Sequence, residues 1–185
     1  MSYDLGQLGS VGQNVVIHES VVIFNARNVH VGSDVRIDCF TVISAGEEGV
    51  FIGNNVHIAT MVQIFGSGGR VTFEDFSGVS SHSTVYTASD DYSGETMTNP
   101  TVPSQYKRIG EGPVTFRKHA IVGCGSVVMP DTELGLGSAV GALTFVNKSV
   151  PPWTIVAGSP MKKIAVRKRG ILELERQYEV ARAKG

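Results

Sequence analysis

The sequence predicts an all-β fold: a left-handed parallel β-helix of about six coils, with one protruding loop and a C-terminal α-helix. Three observations point to it. The chain of 185 residues carries 22 Gly beside abundant Val and Ile, and few helical amphipathic patterns precede residue 160, which is the composition of short strands and tight corners. From Val11 onward a large apolar residue recurs at every sixth position. The interruptions of that rhythm all fall after the third unit of a set of three.

The first coil reads Val11-Gly-Gln-Asn-Val-Val, Ile17-His-Glu-Ser-Val-Val and Ile23-Phe-Asn-Ala-Arg-Asn. The next coils begin at Val31, Ile52 and Phe73, and the last two at Phe116 and Leu134; from Phe116 the sixes run unbroken through Val122, Val128, Leu134, Val140 and Val146. Position one of each unit is expected to point into the prism, position five to pack just behind it, and the frequent glycine at position two to tolerate the corner's backbone angles. Each coil then buries its apolar face only against its neighbours, so residues 1–168 form one solenoid domain. A single compact unit also suits a chain of this length.

Two residues intervene before Val31, three before Ile52, three before Phe73 and some 25 before Phe116, which places all the insertions at one corner. The longest, residues 91–115, must project from that edge. Its opening at Asp90-Asp91-Tyr-Ser-Gly, the stiffening at Pro100 and Pro103 and the Tyr106-Lys-Arg segment favour an ordered excursion that contacts something. Residues 169–185 read as a short amphipathic helix with Ile171, Leu174 and Tyr178 near one face, packed on the solenoid end or on a neighbour.

Lys and Arg total 16 against 17 Asp and Glu, a net charge of -1, so no global field favours nucleic acid or an acidic membrane. No apolar run approaches the ~18 residues of a membrane span, and the opening Met1-Ser-Tyr-Asp-Leu-Gly has neither a basic nor an apolar leader region. The expected location is cytoplasmic. Cys39 and Cys124 lack CxxC spacing and are expected to be free thiols, with no metal site.

The stretch from His30-Val-Gly-Ser-Asp-Val-Arg-Ile through Ile52-Gly-Asn-Asn-Val-His-Ile, Val122-Gly-Cys-Gly-Ser-Val-Val-Met-Pro and the terminal GALTFVNKSVPPWTIVAGSPMKKI, residues 141–164, resemble the hexapeptide-repeat acyltransferases. The resemblance covers residues 11–168 and lies nearest the galactoside, maltose and nucleotide-sugar O- or N-acetyltransferases. It implies acetyl transfer from acetyl-CoA to a sugar, in surface-polysaccharide or lipopolysaccharide synthesis. It also implies a homotrimer of prisms side by side, with active sites in the clefts between subunits and acetyl-CoA along the later coils. By motif position, Gly123 and Cys124 would line the pantetheine arm, Ala142 would meet it with backbone, and Asn147 and Lys148 would stand near its far end. Lys162, Lys163 and Arg167 would face the nucleotide phosphates, where cations offset anionic charge.

Acetyl transfer needs a held nucleophile, a proton acceptor and a donor for the oxyanion. In the galactoside branch the base is a histidine at the coil end leading into the long loop, and that position is Asp90 in this sequence. His82, one unit earlier and projecting outward near the same cleft, is the candidate catalytic base; His119, in the first unit after the loop, is the reserve. Were the acceptor an amine, Asp90 and Asp91 would orient it without a strong base. These carboxylates, with Tyr86, also suit sugar hydroxyls, and Asp38 matches a coil position that contacts acceptor in the family. Hydroxyl and amine both stay open.

Two other readings share this architecture. A γ-type carbonic anhydrase needs three convergent histidines, two of them closely spaced, and the five here show no such pair. A noncatalytic scaffold subunit fits the periodicity alone, but the terminal CoA signature and the acidic loop weigh against it.

Overall fold

The structure, a computed structural model, describes residues 3–183. Short parallel strands stack into the three faces of a triangular prism, and the expected position-one residues form three inward rows. On the first face Val31, Ile52, Phe73, Phe116 and Leu134 lie opposite one another. On the second the row is Ile17, Ile37, Ile58, Val79, Val122, Val140 and Val156. On the third it is Ile23, Ile43, Ile64, Val85, Val128 and Val146. The extra member of the second row belongs to a partial seventh coil, Thr154–Ala157, beyond the six expected.

These rows are the core. Most members are fully buried, whereas Val11, on the terminal coil with no neighbour above it, stays 40% exposed. Position five is buried too, as at Val35, Thr41, Val56, Ser83 and Ser126, because a small or β-branched side chain fills the inside of each corner.

The corners differ from the expectation in one respect. Positive φ falls at position four, at Asn14, Asp34, Phe40, Asn55, Met61, Phe76, His82, His119 and Leu143 among others, and not at position two. Glycine is needed at position two for close approach: a Cβ at Gly32 would lie 2.7 Å from the Gly53 carbonyl oxygen, and one at Gly123 would lie 2.5 Å from the Ala142 nitrogen.

The long insertion is an ordered hairpin. The chain leaves the third face after Thr84–Tyr86, and Ala88–Asp90 pairs antiparallel with Ile109–Glu111 before the first face resumes at Val114–Phe116. Pairing thus begins three residues before the expected start of the loop.

At the other end the chain reverses, and Lys162–Val166 pairs antiparallel with Thr154–Ala157. Helix α1, Ile171–Arg182, then runs back along the side of the prism, at the corner between the first and second faces. At about 1.5 Å per residue it reaches nearly four coil spacings of about 4.8 Å. Its contacts are polar and aromatic. Glu175 meets His119 at 2.7 Å and also pairs with Lys118, Tyr178 stands edge-on to Phe76 and accepts from Asn55 Nδ2 at 3.0 Å, and Arg182 pairs with Asp34 at 2.6 Å. The helix therefore docks on the side of the prism rather than its end, and Leu174, expected on its buried face, is 62% exposed. Residues 184–185 of the expected helical segment lie outside the described residues. Among the described residues no helix is long and apolar enough to cross a membrane.

Candidate active site

The edge between the second and third faces is built by a ladder of corner residues, each hung on the coil before it. His82 N donates to the Thr60 carbonyl at 3.2 Å, Gly125 N to Ser81 at 2.9 Å and Leu143 N to Cys124 at 2.8 Å. His82 therefore stands one coil from Gly125 and Cys124. It is exposed, and its imidazole has no hydrogen-bond partner among the described residues. Gly123 and Ala142 lie on the same edge, and the terminal hairpin brings Lys162 opposite Ala157 and Lys163 opposite Val156, both lysines exposed. One edge thus carries His82, Gly123, Cys124, Ala142, Lys162 and Lys163. The close approach at Gly123 and the exposed lysines fit a thioester-bearing arm with an anionic head.

Three members of the expected cofactor set lie elsewhere. Asn147 and Lys148 follow Phe145–Val146 at the corner between the third and first faces. Arg167 is a correction: its Nη1 donates to the carbonyls of His119, Ser138 and Gly137 at 2.8, 3.1 and 3.2 Å, at the corner between the first and second faces. A guanidinium spent on backbone carbonyls holds a corner and does not face phosphates.

From the His82 edge the third face runs toward the excursion. Thr84, Val127 and Phe145 form an outward row, and Tyr86 stacks on Phe65 with centroids 5.3 Å apart. Tyr86, Val127, Met129 and Phe145 floor a cleft of about 550 Å³ whose far wall is Ala88, Ser89, Asp90 and Tyr92 of the hairpin. Apolar floor and polar wall are the usual makings of a small-molecule site.

The two hairpin carboxylates have different duties. Asp91 accepts from Ser93 N at 2.9 Å, from Arg108 Nη2 at 2.9 Å and from Thr96 Oγ1 at 3.2 Å. The Ser93 amide and the Arg108 guanidinium hold its carboxyl well below the usual carboxylate range. Arg108 also pairs with Glu95 at 2.9 Å. Asp91 is a clamp inside the hairpin, and it also borders a hollow lined by Ser89, Asp90, Tyr92 and Arg108. Among the described residues the Asp90 side chain accepts only a 3.3 Å bond from Asn99 N, and it lines the cleft. Arg108 was not evident as a functional residue from the sequence, since nothing local marks a partner 17 residues away.

Asp38 lies on the His82 edge two coils toward the N-terminus. Arg36 Nε and His57 Nε2 approach its two oxygens at 2.6 and 2.8 Å. Burial alone would raise its pKa, but these partners outweigh that and lower it. His119, the reserve base, is 7% exposed, stacked on Phe76 and bonded to Glu175, so it anchors the helix.

No family model matches the chain. It is 42% identical over 170 residues, 92% of this chain and 88% of the relative, to the dTDP-4-amino-4,6-dideoxy-D-glucose acyltransferase of Escherichia coli. AntD, an N-acyltransferase from Bacillus cereus solved with dTDP and 3-hydroxybutyryl-CoA, superposes with a TM-score of 0.93 at 37% identity, covering 98% of each chain. A putative lipopolysaccharide biosynthesis O-acetyl transferase, WbbJ of Escherichia coli K12, is 29% identical over 143 residues, 77% of this chain and 60% of the relative.

Proposed function

We propose a reaction from the premise that this chain belongs to the hexapeptide-repeat acyltransferases: it moves the acetyl group of acetyl-CoA to the amino group of a nucleotide-linked amino sugar. The acceptor is a dTDP-linked 4-amino-4,6-dideoxyhexose or a close analogue, destined for surface polysaccharide, and the working unit is a cytoplasmic homotrimer whose neighbouring prism closes the cleft. One observation carries the choice of an amine. The histidines with carboxylate partners, His57 with Asp38 and His119 with Glu175, do not line the cleft, while His82, at the corner where its third-face floor begins, has no carboxylate partner among the described residues. A hydroxyl nucleophile calls for a base that is itself oriented by a third group. A neutral amine attacks without prior deprotonation.

The acceptor lies along the third face. From His82 to Ala88 the chain spans at most about 20 Å at strand rise, enough for a nucleotide-linked sugar. Asp90 and Tyr86 hold its polar groups at the hairpin end, and the amine sits at the Val127 end beside His82. Acetyl-CoA supplies the thioester: a C–N bond forms as the C–S bond breaks, and CoA departs as the thiol. His82 accepts the proton shed by the nitrogen and passes it toward the leaving sulfur. Gly123, Cys124 and Ala142 seat the pantetheine arm, and Lys162 and Lys163 offset the charge of its phosphates. Asp38, held by Arg36 and His57, would reach acceptor only from the upper end of the edge, and Asn147 and Lys148 would serve a neighbouring subunit's cleft.

The test measures thiol release from acetyl-CoA with dTDP-4-amino-4,6-dideoxyglucose and with plain saccharides. Turnover is expected on the amino-sugar nucleotide, with His82→Ala lowering kcat about 10²-fold or more. Turnover confined to hydroxyl acceptors would overturn the amine assignment, and full activity of the variant would remove His82 as the base.

A further inference from the structure

Behind the His82 edge runs a line of buried hydroxyls. The inside of the corner between the second and third faces is filled by Val21, Thr41 and Val62 on the first three coils and by Ser83, Ser126 and Thr144 on the last three, all 4% exposed or less. Val21 and Val62 show that the corner folds without a hydroxyl. The unbroken run of Ser and Thr begins with the coil of His82 and continues through those of Cys124 and Ala142.

The three hydroxyls share one pattern. Each accepts from an amide of the coil that follows: Ser83 Oγ from Ser126 N at 3.3 Å, Ser126 Oγ from Thr144 N at 3.2 Å, and Thr144 Oγ1 from Gly158 N at 3.1 Å. Each donates to a carbonyl of the edge. Ser83 and Ser126 converge on the Gly123 oxygen at 3.1 and 2.8 Å, and Thr144 meets the Gly141 oxygen at 2.7 Å. Ser126 also stands 3.1 Å from the Gly141 oxygen, so the line is continuous. It starts at the residue after His82 and ends at Gly158, the first residue of the turn into Lys162–Val166.

A carbonyl drawn inward fixes its whole peptide plane, and in a trans peptide the following N–H points the opposite way. With the Gly123 and Gly141 carbonyls held by hydroxyls, the amides of Cys124 and Ala142 face out over the edge. Deleting one hydroxyl deprives a buried amide and a buried carbonyl of a partner together, and both then pull on the surrounding backbone to find another.

We propose that Ser83, Ser126 and Thr144 are positioning residues whose buried hydroxyls fix the backbone of the edge between His82 and the terminal hairpin, so that acetyl-CoA meets a surface already in place. Being buried, they act through the backbone of Gly123, Gly141 and Gly158 and not by contact. The inference rests on the CoA-dependent reading above and adds to it three residues that line no surface.

Calorimetry with acetyl-CoA on the folded full chain tests this without any acceptor. Ser126→Ala and Thr144→Val each remove a hydroxyl with little change of volume, so one stays informative should the other fail to fold, and Thr144→Ser keeps the hydroxyl. Thr41→Val is the control, because Thr41 is buried at the same corner two coils from His82 and donates to the Ala59 carbonyl at 2.9 Å. The three hydroxyl deletions should lower Tm by similar amounts, about 2–6 °C. Affinity for acetyl-CoA should fall roughly tenfold in Ser126→Ala and Thr144→Val, return to within about threefold of wild type in Thr144→Ser, and stay at the wild-type value in Thr41→Val. Wild-type affinity in a folded Ser126→Ala or Thr144→Val protein overturns the proposal, as does an equal loss in Thr41→Val. A wild-type chain that binds acetyl-CoA but acetylates no amino sugar sinks the acceptor assignment and leaves the affinity comparison to decide for or against the hydroxyl line. A wild-type chain that binds no acetyl-CoA overturns the CoA reading and the hydroxyl line with it.

Discussion

Phe73→Ala tests the mechanical basis of the site. Phe73 and Phe116 are neighbours across the first face, 1% and 0% exposed, and their rings stack with centroids 4.3 Å apart at 24°. They belong to the coils immediately before and after the hairpin excursion, so their stack helps close a loop of some 25 residues, whose closure entropy is about 3 kcal/mol by the logarithmic rule. Truncating a fully buried phenylalanine costs about 3–5 kcal/mol through lost transfer energy and an unfilled cavity. Domains of this kind have about 5–15 kcal/mol in all, so the variant should lose about a fifth or more of its stability. Phe73→Leu restores the residue type found at Leu134 in the same row and should cost about 1.5 kcal/mol or less. Urea denaturation followed by circular dichroism, at one fixed protein concentration, reads both values if m is unchanged. A loss under about 1 kcal/mol for the alanine variant, or equal losses for alanine and leucine, would refute the view that this stack closes the solenoid across the excursion.

Arg108→Ala removes the cation that ties Asp91 to Glu95, so the hairpin should loosen and the acceptor KM rise about tenfold, while the KM for acetyl-CoA stays unchanged and Arg108→Lys restores part of the loss. The arginine side chain is 62% exposed, so global stability should change little; a shift in both KM values would show that it does not act through the hairpin alone. Helix docking should be acid-sensitive through Glu175. Burial would raise that carboxyl's pKa, but hydrogen bonds from Lys118 and His119 outweigh it and the net shift is downward, so the ionised pair stabilises docking above the ordinary glutamate range and this is lost as pH falls through the lowered value. Trp153, the only tryptophan and stacked under Arg169 just before the helix, reports undocking by fluorescence; Glu175→Gln should flatten the acid limb, and an unchanged limb would exclude Glu175 as its cause.

What the sequence discloses here is what repeats locally. Phe73, Phe116 and Leu134 could be placed in one inward row because a six-residue period fixes which side chain enters the prism, and the insertions could be assigned to one corner because they keep phase with that period. The same regularity put His82 on the cleft edge, since position four of a unit sits at the corner. Side chains whose partners are distant in sequence gave no such signal. Arg167 was assigned to the phosphates by its motif position in the family resemblance, yet its acceptors are carbonyls 29 to 48 residues earlier. Asp91 looked interchangeable with Asp90 until Arg108 claimed it. The helix shows the same limit from the other side: its apolar spacing suggested a buried stripe through Leu174, but the surface it meets is a row of corners contributed by several coils, carrying Asp34, Asn55, Phe76 and His119, so polar and aromatic side chains decide which face docks. A period reveals where a residue sits on the prism; only the stacking of coils reveals what it faces, and chemistry at the cleft depends on the second.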